Sequence, residues 1–120
     1  MSSVTAFAQQ KAEYVATMIR FERYFNAGNA DSINDMFVTA LQPGTWTAAM
    51  SKAQQEVRGN IVAFRFIPQP KWHRGAVFNV KFNKSKPVAL VMKLNADNKI
   101  DSFVFDASNI YIKGLMSTYK

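Results

Sequence analysis

Apolar residues near the start of the chain return at intervals of three and four. Between Gln9 and Asn26, the residues Tyr14, Val15, Met18, Ile19, Phe21 and Phe25 form one stripe, the spacing that places side chains on one face of an α-helix. Gly28 takes the left-handed backbone conformation without steric cost and predicts the end of that helix. Asn29 predicts the cap of the next helix, its side-chain oxygen accepting from an unpaired backbone N–H near Ser32. Ile33, Met36 and Phe37 form the buried side of this short second helix. Gln42-Pro43-Gly44 interrupts the pattern. A third helix is expected beyond it, capped by Thr45, with Trp46, Ala49, Met50, Ala53 and Val57 as one apolar face and Gly59 as its stop.

From Asn60 the period shortens to two. Val62, Phe64 and Phe66 alternate with Ala63 and Arg65, and Ala76, Phe78, Val80 and Phe82 alternate with Val77, Asn79 and Lys81. Val88, Leu90, Met92 and Leu94 alternate with Ala89, Val91 and Lys93, and a last strand covers about residues 99–106. Asn95-Ala96-Asp97-Asn98 is turn chemistry that joins the last two strands as a hairpin. Pro68, Gln69 and Pro70 open the longest loop, which carries Lys71, Trp72, His73 and Arg74, and residues 110–116 add a short strand or cover an edge. The predicted architecture is α+β: three N-terminal helices packed on a curved antiparallel sheet of about four strands. The outward rows hold Ala63, Val77, Ala89 and Val91 among Arg65, Lys81 and Lys93, an apolar surface that implies a partner, with a second copy of the chain the simplest candidate.

A chain of 120 residues suits one domain with a core of its own, and 48% apolar residues with ten Phe imply a globular fold. Residues 9–120 read as that single domain. Residues 1–8 admit two readings: the start of the first helix, or a signal-peptide remnant, since Ala6-Phe7-Ala8 before Gln9 is a small-x-small cleavage pattern. The second reading implies a secreted or periplasmic protein, the first leaves a cytoplasmic one. The absence of cysteine excludes a disulfide framework, a thiolate metal site and a cysteine nucleophile. No apolar run approaches the roughly 20 residues of a membrane span. The net charge of +7 lies in the second half: residues 1–60 hold five basic and five acidic side chains, residues 61–120 ten and three. That asymmetry fits an anionic partner, nucleic acid or a lipid surface, and fits equally a solvated lysine-rich sheet guarded against edge pairing.

The junction Phe25-Asn26-Ala27-Gly28-Asn29-Ala30-Asp31-Ser32-Ile33-Asn34-Asp35-Met36-Phe37 resembles the corner between the first two helices of the nuclear-transport-factor-2-like (cystatin-like) superfamily. The stretch from Val88 to Phe105 is similar to that superfamily's final strand pair. The resemblance covers about residues 10–106 and is nearest to small bacterial domains of unknown function, often exported. It implies a cone, in which the sheet curls around the long first helix and leaves an apolar pocket at the open end. Some members are steroid isomerases or dehydratases, while many are binding or dimerisation modules. In the isomerases a helix-one tyrosine donates to an oxyanion; counting back from Asn26 along the helix, its place is taken here by Phe21. The position of the general base falls near Thr45. Neither residue can serve proton abstraction.

Pocket candidates are Tyr14, Met18, Trp46, Met50, Phe64, Phe78 and Met92, a set whose spacing is also that of an ordinary core. No metal site, cofactor motif or catalytic set is recognised: His73 is the only histidine, and Asp97, Asp101 and Asp106 near the hairpin read as turn or salt-bridge residues. The resulting expectation is a non-enzymatic module that dimerises through its outer sheet face and binds a small apolar or anionic ligand or a protein. The alternatives are an isomerase- or dehydratase-type enzyme using Tyr14 with Asp106, and a basic surface for nucleic acid or anionic lipid built on Lys71, Trp72, Arg74, Lys81, Lys84, Lys86 and Lys93. The inward phenylalanines weigh against stacking of single strands.

Overall fold

A computed structural model describes residues 3–39, 46–67 and 75–105, with residues 3–10 described by their backbone alone. Within them lie three helices, α1 (Ser3–Ala27), α2 (Ala30–Asp35) and α3 (Ala48–Arg58), and four strands, β1 (Ile61–Ile67), β2 (Ala76–Phe82), β3 (Val88–Leu94) and β4 (Ile100–Phe105). The chain is therefore α+β, with helices packed against a four-stranded antiparallel sheet in the order β1-β2-β3-β4. Thr45, the loop residues Lys71 to Arg74, Asp106 and the 110–116 tail lie outside the described residues.

α1 begins before Gln9, because Ala6, Ala8, Gln9 and Gln10 are good helix formers with no Gly or Pro among them. Its inward stripe is Tyr14, Met18, Phe21 and Phe25, all buried, joined by Thr17. Ile19, expected in that stripe, is 47% exposed. Five residues past Tyr14, it is rotated by about 140° from the buried face. Gly28 ends the helix at φ 69°, and the Asn29 side chain accepts from the Ser32 N–H at 3.1 Å, so the corner forms as its residues dictate.

α3 departs from expectation. Thr47 caps it, accepting from the Met50 N–H at 3.1 Å, and the anticipated apolar face points outward: Ala49 and Ala53 are exposed, Met50 is 38% exposed and Val57 68%. The side turned to the body carries Ser51, Gln55 and Arg58. Trp46 precedes the helix and is buried on its own account, with its indole N–H donating to Ser51 Oγ at 2.7 Å. Gln55 Nε2 donates to the Asn26 carbonyl (3.0 Å) and to Asn60 Oδ1 (3.1 Å). The Arg58 guanidinium lies over the rings of Phe82 and Phe105 at 5.7 and 5.5 Å. Hydrogen bonds and a cation thus do here what an apolar stripe was expected to do.

Two asparagines fasten the elements. Asn26, at the end of α1, donates to the Ile61 carbonyl (2.9 Å) and accepts from the Ile61 N–H (2.8 Å), fixing where β1 starts. Asn34 in α2 makes the same paired contact with the backbone of Trp46. Each amide supplies one donor and one acceptor, as a neighbouring strand would. After α2 the chain bridges β4 in parallel: the Val38 N–H donates to the Ile100 carbonyl (3.0 Å) and the Ile100 N–H to the Met36 carbonyl (2.8 Å).

Ile61 of β1, Ala76, Phe78, Val80 and Phe82 of β2, Val88, Leu90 and Met92 of β3 and Ile100 of β4 form the sheet's buried contribution to the core, in one cluster with the α1 stripe, Ile33, Phe37 and Trp46. The opposite rows are less open than their residues imply. Val77 and Ala89 lie outside this cluster yet have no exposed surface. Ala63 of the same row is exposed and Val91 partly so, as is Val104 of β4 at 47%; Val62, expected on the inner row, is 51% exposed where the register shifts between Ile61 and Ala63.

Candidate functional site

The predicted pocket residues fall into two groups. Tyr14, Met18, Trp46, Phe78 and Met92 belong to a single buried cluster, and Phe64 packs partly buried against it. Met50 stands apart, on the outward side of α3. Rings within and beside this cluster lie against one another. Phe21 touches Phe25, Trp46, Phe103 and Phe105 at centroid distances of 5.8, 5.7, 5.5 and 6.0 Å. Phe37 meets Phe103 edge-on at 5.2 Å, and Phe82 meets both Phe25 (5.7 Å) and Phe105 (6.0 Å). These are the tilted and edge-to-face arrangements that aromatic quadrupoles prefer.

The chemistry available inside this cluster is small. Tyr14 is 8% exposed, and its hydroxyl is engaged by the Leu94 N–H at 3.0 Å, tying α1 to the end of β3. Phe21 has no exposure and no hydroxyl. The buried polar side chains among the described residues are Thr17 and Ser51, whose hydroxyls hydrogen-bond within the protein. Among the described residues no group of His, Cys, Asp or Glu could hold a metal ion. No described helix is long and apolar enough to cross a membrane.

Among the described residues, two clefts open at the surface. The first, of about 360 Å³, lies where α1, the end of α2 and the β3–β4 turn come together. Arg20 and Tyr24, one helical turn apart on α1, form one wall; Asp35 and Met36 of the α2 end, and Asp97 and Lys99 of the turn, form the others. Several of these groups are held in place. Arg20 Nη2 donates to Thr17 Oγ1 (3.2 Å), and the buried Thr17 hydroxyl donates to the Glu13 carbonyl (2.8 Å). Lys99 Nζ donates to the Asp35 carbonyl at 2.9 Å. Asn95 Oδ1 accepts from the N–H groups of Asp97 (2.9 Å) and Lys99 (3.0 Å), and Asn98 takes φ 61°, a conformation that asparagine tolerates. The second cleft, about 350 Å³ beside Gly28, is bordered by Lys52, Glu56 and Lys84, and its Gln55 amide is already spent on Asn26 and Asn60.

The basic residues described in the second half are distributed rather than gathered. Arg65, Lys81 and Lys93 occupy the outer face of three strands, while Lys84 and Lys86 lie on the β2–β3 connection, all exposed. Sequence reasoning did not single out Arg20, Asp35 or Lys99. The available signal was the i, i+4 placement of Arg20 and Tyr24 on one helix face, which becomes a site only once α2 and the hairpin are folded beside it. The chain matches no family model, and no curated protein or solved structure matches it either.

Proposed function

We propose that this chain is a non-catalytic binding module of the nuclear-transport-factor-2-like kind, acting through its surface on a small charged ligand or a protein. The observation that carries the reading is Phe21, a residue without a hydroxyl at the place of the isomerase tyrosine, packed on four other rings. Isomerisation and dehydration need an acid and a base converging on bound substrate, and the described interior offers rings, thioethers and the hydroxyls of Tyr14, Thr17 and Ser51, each hydrogen-bonded within the protein. The Gly28–Asn29 corner, with its left-handed glycine and asparagine cap, supports the superfamily assignment at the level of local structure.

The test is an assay with β,γ-unsaturated ketones, monitored by conjugation of the product, on the wild-type chain and on Tyr14→Phe. No turnover above buffer is expected from either. Turnover that Tyr14→Phe abolishes would show a working phenol and overturn the proposal.

A homodimer through the outer sheet face is the second reading, favoured by the exposed Ala63 and by Val104, about half exposed. Val77 and Ala89 have no free surface to contribute to such a contact, so this reading ranks behind the first. Sedimentation equilibrium at micromolar concentrations decides it: a monomer removes it, and a dimer dissociated by Val104→Lys supports it.

A further inference from the structure

We infer that the cleft between α1, the end of α2 and the β3–β4 turn binds a small zwitterion, of the class of free α-amino acids. The inference rests on the reading of this chain as a binding module and gives that module a ligand class. The first argument is charge. Two basic residues, Arg20 and Lys99, and two acidic ones, Asp35 and Asp97, border one open cleft, all but Arg20 being exposed. A simple anion entering it meets both carboxylates, and a simple cation meets both basic groups. A molecule carrying one carboxylate and one ammonium satisfies both kinds of wall at once.

The second argument is preorganisation. The guanidinium of Arg20 is held by Thr17, which is itself 1% exposed and bonded back to the helix, so one of its five N–H groups is used and the remaining fork is positioned. The Lys99 ammonium is tethered over the end of α2 by the Asp35 carbonyl and keeps two donors. Groups fixed before binding lose less rotational freedom when a ligand arrives. The Tyr24 phenol borders the same space and hydrogen-bonds no described residue, leaving it able to accept from an ammonium or donate to a carboxylate. Met36 supplies the apolar contact for a side chain. The volume of about 360 Å³ lies at the small end of ligand sites, which span roughly 300–1,000 Å³.

The experiment is a titration of the full chain with the proteinogenic L-amino acids, read by NMR both as amide shift changes and as the ligand's own spectrum. Arg20→Met and Lys99→Met, which keep most of each apolar stem, are titrated alongside, with circular dichroism melts to establish that they fold. At least one amino acid is expected to saturate the protein at up to millimolar concentration, shifting the amides of residues 20–24 and 95–99. Its des-amino acid and its decarboxylated amine are each expected to bind about tenfold more weakly or worse, as is the amino acid itself to either folded variant.

The inference is overturned if no amino acid binds, if both folded variants bind as the wild type does, or if the des-amino acid binds as tightly as its parent, which would make the cleft an anion site. Each of these leaves the non-catalytic reading intact. Chemical conversion of a bound amino acid would have the reverse effect: it would support the site and overturn the absence of catalysis.

Discussion

Gly59 offers the sharpest test of how the helical and strand halves are joined. It stands between α3 and β1, is buried, and adopts φ 76°, ψ −152°, a region of backbone space that is essentially closed to residues with a Cβ. Its N–H donates to the Gln55 carbonyl at 2.8 Å, closing α3. A methyl group added here would lie 1.8 Å from Asn83 Oδ1 and 2.9 Å from Lys84 Cγ. Both neighbours are side-chain atoms and can move. Asn83 does not move freely, however, because its Oδ1 accepts from the Asn60 N–H at 3.0 Å.

Gly59→Ala therefore carries two costs. Holding alanine in this conformation costs about 1–3 kcal/mol, and displacing Asn83 forfeits a hydrogen bond with a net contribution of about 0.5–1.5 kcal/mol. The expected destabilisation is about 2–4 kcal/mol, which for a domain of this size lowers the melting temperature by roughly 10 °C. Urea melts of wild type, Gly59→Ala, Asn83→Ala and the double variant separate the terms. Asn83→Ala removes the clash and leaves the strain, so the double variant should lose less than the sum of the singles. A Gly59→Ala protein within about 0.5 kcal/mol of wild type, the usual range of an unremarkable surface change, would refute the backbone argument. Strict additivity would refute the clash.

Three further substitutions and one exchange measurement probe the rest of the structure. Asn26→Ala removes both bonds to the Ile61 backbone and strands a donor and an acceptor, and it should cost about 2–4 kcal/mol in a urea melt. Ser51→Ala leaves the Trp46 indole N–H without its buried acceptor and should cost about 1–3 kcal/mol, read the same way. Phe21→Tyr forces a hydroxyl into a buried ring cluster and should destabilise by about 1–3 kcal/mol without creating isomerase activity; a variant as stable as wild type would mean that the interior has room and a polar partner to spare. Native-state hydrogen exchange should show α3 opening at lower free energy than the Tyr14–Phe25 part of α1, since one is fastened chiefly by polar contacts and the other by buried rings.

The α+β order, the helix corner and the four strands were legible because each is written in local chemistry. Gly28 and Asn29 stop and cap helices by their own geometry, and the alternation from Phe64 to Leu94 sorts side chains to two faces, whereas Val62 leaves the pattern at the register shift of β1. The clamps at Asn26 and Asn34 were not legible. Their partners, Ile61 and Trp46, lie 35 and 12 residues away, and an asparagine near a turn has many local uses. The charged cleft was hidden for the same reason, since Arg20 and Lys99 become neighbours only when the hairpin reaches α2. The burial of Phe21 was legible, since it falls on the three- and four-residue stripe of α1.

The inverted helix α3 shows where periodicity stops being informative. Met50, Ala53 and Val57 repeat as a core stripe should, and so do Ser51, Gln55 and Arg58 one or two positions further on. Periodicity finds both faces and ranks them by hydropathy alone. The ranking fails because the surface facing α3 asks for polar partners, an indole N–H and the Asn26 carbonyl, and because its two ring faces accept a guanidinium. Against such a surface a methionine would strand a donor and an acceptor, at about 1–3 kcal/mol each, whereas burying it would gain only about 1.5–3 kcal/mol. The polar face wins inward, and the apolar one is left outside, where Met50 and Val57 remain exposed.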